Sequence, residues 1–523
     1  MGETASPGEA AMFDIRTVCL SDLHIGQPNS LMTNVAATTG RDGLPFAVNR
    51  DQPSRTAAGL CQIIRALVAA NESAGAERPT LLLDGDILEM DLADLSVADA
   101  GFASFLRALT GAEGNPFGRV LYLPGNHDHH LWEWARERQV AELAARAAAR
   151  GSNEPADVGG HSTRLFAAPA ELPRSVFLES CLKRIAGSTH VQTAMAYPNF
   201  GARVAPGGRT VIFSHGHFID SVCYGATELV NLIFPKRKQP ATVEEIEAEN
   251  FAWIDFFWST LGRSGAAGAE LNQAYFCVDN AASRQAMLER VAKNLNAMAV
   301  AAVAKEPWWK RWGVKLIART GVIDCLLQRG GDALEKSLGA ASSFPLTGSR
   351  SEKLAWFVEQ PLRRQMPDEP EAVSPETVFV FGHTHLPFQL SRSFAGFGAV
   401  RLCNIGGWVV ETVTPDPHHG GSALLIDEQL HVAVLRLYNE TADGAATPVV
   451  LEPVLPDDPE QNPFYQRLKN LMETAAMEKR VGDFAAATAA DIAVRRQILV
   501  DLQKTITDEN PSAKSPAQSF NSR

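Results

Sequence analysis

The 523-residue chain has little cysteine, no excess of positive charge and no long apolar run. Its seven cysteines (19, 61, 181, 223, 277, 325 and 403) are odd in number and scattered, with no closely spaced pair. That argues against a cysteine zinc site and a disulfide framework, so a reducing, cytoplasmic location is expected. Lys and Arg number 48 against 60 Asp and Glu, a net charge of -12. Broad nucleic-acid binding needs a basic surface, so no nucleic-acid partner is expected. Nowhere do about 18 apolar residues run uninterrupted, as a membrane span requires, and Met1 to Ala11 has no apolar signal-peptide core.

What is present is an ordinary globular composition, 45% hydrophobic and 21% charged, in a chain too long for one compact core. Five short apolar runs end in serine or glycine followed by metal-type ligands. Val18-Cys19-Leu20 leads to Ser21-Asp22-Leu23-His24, and Leu81-Leu82-Leu83 to Asp84-Gly85-Asp86. Leu121-Tyr122-Leu123 leads to Gly125-Asn126-His127-Asp128, and Val211-Ile212-Phe213 to Ser214-His215-Gly216-His217. Val378-Phe379-Val380-Phe381 leads to Gly382-His383-Thr384-His385.

The chemistry follows from the residue types. Residues two apart on an extended segment project the same way, so Asp22 and His24 can chelate one ion. Gly85 allows a sharp bend that brings Asp86 to a strand's carboxyl edge, where open α/β sheets place ligands. Asn126 offers a neutral oxygen, His127 a titratable nitrogen, and Asp128 a carboxylate able to orient that imidazole. His215 stands closest to its strand end. His217 either lines a substrate pocket or is an ordinary hydrogen-bonded histidine. Asp84 and Glu89 read as acceptors behind the ligands or as helix-start residues. His129 and His130 are expected to be exposed or behind the ligands, and His418 and His419, in a Pro/Gly turn, to be exposed.

Between these runs, apolar spacing predicts helices near 55–70, 97–110, 131–150 and 174–186. Val191 to Tyr197 and Ala202 to Val204 read as a hairpin around Asn199-Phe200-Gly201. From 220 to 375 the strand rhythm gives way to helical sequence with two aromatic clusters. One holds Phe251, Trp253, Phe256, Phe257 and Trp258. The other interleaves Trp308, Trp309 and Trp312 with Lys305, Lys310, Arg311 and Lys315. Such clusters form the core of a helical subdomain, cover an apolar ligand, or rest on an anionic membrane. Lys236-Arg237-Lys238 reads as a solvated loop, and alternating segments at 422–438 complete the sheet material.

Five motifs in this order, each at the end of an apolar strand, resemble the calcineurin-like metallophosphoesterase superfamily over roughly 15–217 and 376–440. The resemblance implies an α/β fold, a two-layered β-sandwich flanked by helices, with a large helical insertion and a helical C-terminal extension. The expected division is a disordered N-terminus at 1–13, a core at 14–219 and 376–445, and the insertion at 220–375. A helical extension at 446–507 and a disordered tail at 508–523 follow.

It further implies two divalent metal ions, Mn, Fe, Zn or Ni. Asp22, His24, Asp86 and His385 would hold the first, and Asp86 as shared bridge, Asn126, His215 and His383 the second. The implied activity is phosphoester hydrolysis by a hydroxide bridging the two ions, attacking phosphorus in line. His127, paired with Asp128, would stabilise the transition state or protonate the departing oxygen. Asp86-Ile87-Leu88-Glu89-Met90 lacks the Asp-Arg-Gly continuation of phosphoprotein phosphatases, and Asp128 stands where those have Glu. Glu89 replaces the iron-binding Tyr of purple acid phosphatases. The expected partner is therefore a phosphoester among the substrates of bacterial-type phosphodiesterases and phosphatases. The competing expectation is a binding module without catalysis, using the aromatic helices for a protein partner or membrane.

Overall fold

The computed structural model describes residues 13–38, 44–72, 77–151, 160–205, 208–263, 348–366, 376–396, 398–442 and 448–508. The second aromatic cluster, the N-terminus and nearly all of the polar tail lie outside them. The strands, in chain order, begin with β1 (Thr17–Leu20), the short pair β2 (Val35–Ala36) and β3 (Ala47–Val48), then β4 (Thr80–Asp84) and β5 (Arg119–Leu123). Next come β6 (Gln192–Met195), β7 (Asn199–Arg203), β8 (Thr210–Ser214) and β9 (Thr377–Phe381). The last are β10 (Phe388–Phe394), β11 (Gly398–Asn404), β12 (Gly420–Ile426), β13 (Val432–Asn439) and β14 (Val450–Leu455). The helices are α1 (Arg55–Ala69), α2 (Leu95–Thr110), α3 (His130–Ala149), α4 (Val176–Lys183), α5 (Gly225–Ile233) and α6 (Val243–Ile254), followed by α7 (Gly348–Phe357), α8 (Pro463–Met472) and α9 (Ala475–Asp508).

Two mixed sheets face each other. One has seven strands in the order β14-β13-β12-β1-β4-β5-β6, the other five in the order β10-β11-β9-β8-β7. β1, β4, β5 and β6 run parallel, joined through helices; β8, β9 and β11 also run parallel, with β10 joining β9 to β11. The apolar runs are uninterrupted because both faces of these strands are buried. On β4, Leu82 points to the layer between the sheets while Leu81 and Leu83 point to the helices outside. On β9, Val378 and Val380 point inward and Phe379 and Phe381 outward. The result is an α/β chain of four layers, with helices on the outer face of each sheet.

Local signals set the helices. Ser54 caps α1 by accepting from Ala57 N–H, and Leu60, Ile63, Ile64 and Leu67 form its buried face. The last helix, α9, is tied to the front of the molecule. Phe484 lies against α1, and Asp491 accepts from the Thr56 N–H (3.0 Å) and hydroxyl (2.8 Å). Arg495, 1% exposed, donates to the Ser30 carbonyl at 3.1 Å and also to that of Thr33.

Three expectations change. β6 and β7 do not form a hairpin: β6 pairs with β5 in the large sheet, and β7 with β8 in the small one. The chain crosses between layers there, and two adjacent strand patterns cannot reveal that. Strand structure also continues past 445, since β14 pairs with β13 at the edge of the large sheet. The stretch from 446 is therefore not wholly helical. Finally, Arg237 is not free in solvent, because Glu249 holds it at 2.6 and 2.7 Å. Among the described residues no helix is long and apolar enough to cross a membrane, and the five described cysteines are free and buried.

Candidate metal centre

The carboxyl ends of β1, β4 and β5 in one sheet and of β8 and β9 in the other open onto one place. Asp22, His24 and His385 bring ligand atoms together, as do His24, Asp86 and His127, and Asp86, His215 and His383; within each group these atoms lie within 4.8 Å of one another. Asp86 belongs to two of the groups, and His24 joins the first group to the second, so Asp86 lies between the Asp22–His24–His385 and His215–His383 sets. Its Oδ2 is 3.1 Å from His215 Nε2 and 3.8 Å from His24 Nε2. His385 Nε2 is 3.3 Å from Asp22 Oδ1, and Asn126 Oδ1 is 3.1 Å from His215 Nε2.

Bringing these side chains together bends the backbone sharply. Among the described residues, six non-glycines have positive φ; five of them are Asp22, His24, Asp86, His383 and His385, at 43° to 64°. Each such conformation costs an L-residue about 1–2 kcal/mol, so the surrounding bonds must hold it. Asp22 N–H donates to the Gly85 carbonyl (3.0 Å) and His24 N–H to that of Asp86 (2.8 Å). His383 N–H donates to Asp22 Oδ1 (2.9 Å) and His127 N–H to Asp86 Oδ1 (2.8 Å). Two glycines admit the carboxylates: a Cβ on Gly125 would sit 2.3 Å from Asp86 Oδ1, and one on Gly382 1.9 Å from Asp22 Oδ2. Asn404 pins the last loop by donating to the Gly382 carbonyl and the Thr384 hydroxyl.

The imidazoles face the centre with their lone pairs. His24 Nδ1 is engaged by Glu89 Oε2 at 3.1 Å, and His385 Nδ1 by Glu411, so each ring donates backward and turns Nε2 forward. Those two Nε2 atoms are 3.1 Å apart. His215 Nδ1 donates to the Asp84 carbonyl at 3.2 Å, leaving its Nε2 against two oxygens, those of Asp86 and Asn126. Acceptors meeting acceptors in a buried place need a cation or a proton between them. Nitrogen and carboxylate donors of this kind fit a pair of first-row divalent ions.

The field of the cluster favours positive charge. Burial works against the charged form of Asp22, Asp86 and Glu89, yet neighbouring histidines hold Asp22 and Asp86 below the ordinary carboxylate range and Glu89 at about 2. Burial likewise disfavours charged His215 and His127. Asp86 facing His215 raises it to about 9, and Glu89 with Asp86 raises His127 to about 10.

No family model, curated protein or solved structure matches the chain. The geometry therefore stands by itself.

All seven ligand positions named from the sequence meet at this centre. The pairing of His127 with Asp128 does not hold. His127 Nδ1 is 3.1 Å from Glu89 Oε1, while Asp128 accepts backbone N–H groups from Gly125 (2.7 Å), Ile87 (2.8 Å), Asp86 and Leu88, and the Tyr122 hydroxyl. It ties two ligand loops together through their backbone N–H groups. Glu89 is the acceptor behind the ligands, as expected. The Asp84 side chain is not: both its oxygens are buried without a hydrogen-bond partner among the described residues, and its backbone carbonyl does the orienting.

His217 lies behind the centre, 3.4 Å from the Tyr197 hydroxyl and 4.0 Å from Glu247, which is the hydrogen-bonded reading and not a pocket lining. His129 is fully buried, packed edge-on against Tyr197, and His130 pairs with Asp255 at 2.9 Å, so neither is exposed. His418 is exposed as expected, but His419 is buried, 3.5 Å from Glu411.

Sequence reading missed Glu411 and Asp220. Glu411 stands four residues past the Gly406-Gly407 turn, and Asp220 follows His217-Phe218-Ile219; neither has a spacing that marks it. Asp220 Oδ2 is 3.8 Å from His383 Nε2 and 3.6 Å from Arg350. The π-helical turn Asp255–Thr260 reaches back to the ligand loops, where Ser259 donates to the Asn126 carbonyl at 2.8 Å and Trp258 packs on His127.

Proposed function

We propose that this chain is a metal-dependent phosphoester hydrolase, a phosphodiesterase or phosphatase that works with two divalent ions. The observation that carries the reading is the place of Asp86, which groups with His215 and His383 and also lies 3.8 Å from His24 of the Asp22–His24–His385 group, at the mouths of both sheets. The five strand-end motifs, which resemble those of calcineurin-like metallophosphoesterases, support the reaction class. Asp22, His24, Asp86 and His385 would hold one ion, and Asp86, Asn126, His215 and His383 the other. Bound there, two divalent ions supply an activated water at neutral pH and neutralise charge on the phosphoryl oxygens.

The chain's own groups do the rest. Glu89 fixes the His127 ring from behind and its charge favours the protonated imidazole, so His127 can give a proton to the departing oxygen. Glu411 and Glu89 set the ring orientation of His385 and His24, which holds their Nε2 atoms on the ligand side. Asp128 and Asn404 keep the loops from relaxing out of their left-handed turns.

The test is metal reconstitution of the purified chain with Mn, Fe, Zn or Ni, followed by hydrolysis of an aryl phosphodiester and an aryl phosphomonoester. Two ions per chain and turnover that chelation abolishes are expected. Two bound ions with no turnover on either ester, across all four metals, would favour a binding module instead.

A further inference from the structure

The first described part of the insertion is fastened to the candidate centre at three points. Asp255 pairs with His130 at 2.9 Å, Ser259 donates to the Asn126 carbonyl at 2.8 Å, and Gly262 N–H donates to Asp91 Oδ1 at 2.5 Å. Between them runs a single π-helical turn, Asp255–Thr260, a conformation concentrated at functional sites. The turn carries Trp258, whose ring centre lies 5.3 Å from that of His127 at an interplanar angle of 49°. Phe257 packs edge-on behind it at 5.2 Å and in turn stacks on Trp253. Trp258 is half-buried, and its indole N–H, itself buried, has no hydrogen-bond partner among the described residues. An indole needed only for the insertion's own core would have that buried N–H paired.

We infer that Trp258 is the specificity-determining wall of this site, selecting phosphoesters whose leaving group presents an apolar or flat surface. The inference rests on the hydrolase reading above, because His127 is there the group beside which the leaving oxygen departs. A substituent on that oxygen meets the indole. Three fastenings hold the indole in place before substrate arrives, so little ordering is lost on binding. A nucleoside and an acylated lipid head both carry such a surface; a bare glycerol or inositol does not.

The experiment compares two methyl phosphodiesters whose leaving alcohols have similar acidity and different shape, 2-naphthyl and hexafluoroisopropyl. The metal-loaded wild type, Trp258→Ala and Trp258→Phe are assayed, with metal content measured alongside. Stacking on an aromatic wall is worth about tenfold or more per ring, so Trp258→Ala is expected to lower kcat/KM for the naphthyl ester about tenfold relative to the other ester. Trp258→Phe should restore most of that preference. Product inhibition by the released alcohol, supplied as a nucleoside, as a monoacylglycerol or as glycerol, then separates the two sources of apolar surface. Tight inhibition by either of the first two supports the inference, and equal inhibition by all three contradicts it. An equal fall for both esters in Trp258→Ala, with both metals retained, would make Trp258 a structural residue and leave the hydrolase reading intact. No turnover by the metal-loaded wild type would remove that reading and this inference together.

Discussion

The ligand loops and the contact between α9 and α1 both bury polar side chains, on opposite terms. At the loops, five residues hold left-handed backbone, and carboxylates and imidazoles converge in groups that could hold metal ions. At the α9 contact the backbone is helical, and Arg495 and Asp491 spend their donors and acceptors on Ser30, Thr33 and Thr56. The first arrangement holds strained backbone around convergent side chains, and the second holds the front of the molecule in register. The two meet, since Ser30 and Thr33 follow directly on the loop that carries Asp22 and His24.

That contrast can be broken from either side. Asp86→Ala removes the ligand shared by both groups. We expect both ions to be lost and turnover to fall below detection, with the far-UV circular dichroism of the wild type, checked by metal analysis and assay. His127→Ala should keep both ions and lose about 10²–10⁴-fold in kcat, the usual contribution of a general acid. Normal turnover by this variant would remove the acid role.

Arg495→Ala acts on the other region. It leaves the Ser30 and Thr33 carbonyls and Asp491 without their buried cation, and should cost about 3–5 kcal/mol of stability in urea unfolding. The fraction that stays folded should still bind two ions. If instead it loses metal with little change in stability, the two regions are not separate in the way described. The smallest effect is expected from Glu89→Gln, which keeps shape and removes the charge behind His24 and His127. A loss of about 10–100-fold in metal affinity is expected by calorimetry, as for other acceptors behind a ligand.

The sequence made the ligand loops legible because each is local: an apolar strand, a small residue, then donors within four positions. It could not rank neighbours within a loop. Asp128 follows His127 directly, yet its carboxylate turns to the N–H groups of Gly125 and Ile87, and Glu89, thirty-eight positions earlier, reaches the imidazole instead. Such partnerships depend on how β4 and β5 lie side by side. The same holds for Glu411 and Trp258, which arrive from other elements. The strands themselves were readable from continuous apolar runs, but the sheet each would join was not. Tyr197-Pro198 separates β6 from β7, and nothing local says that the chain changes layers there. The clamp of α9 was hidden for another reason: a buried arginine in a long polar helix looks like any solvated one until its partners are known.

The most direct test of the account is anomalous diffraction from crystals of the metal-loaded protein. It predicts two peaks sharing Asp86, one among Asp22, His24 and His385, the other among Asn126, His215 and His383. A single peak, or peaks away from Asp86, would contradict it.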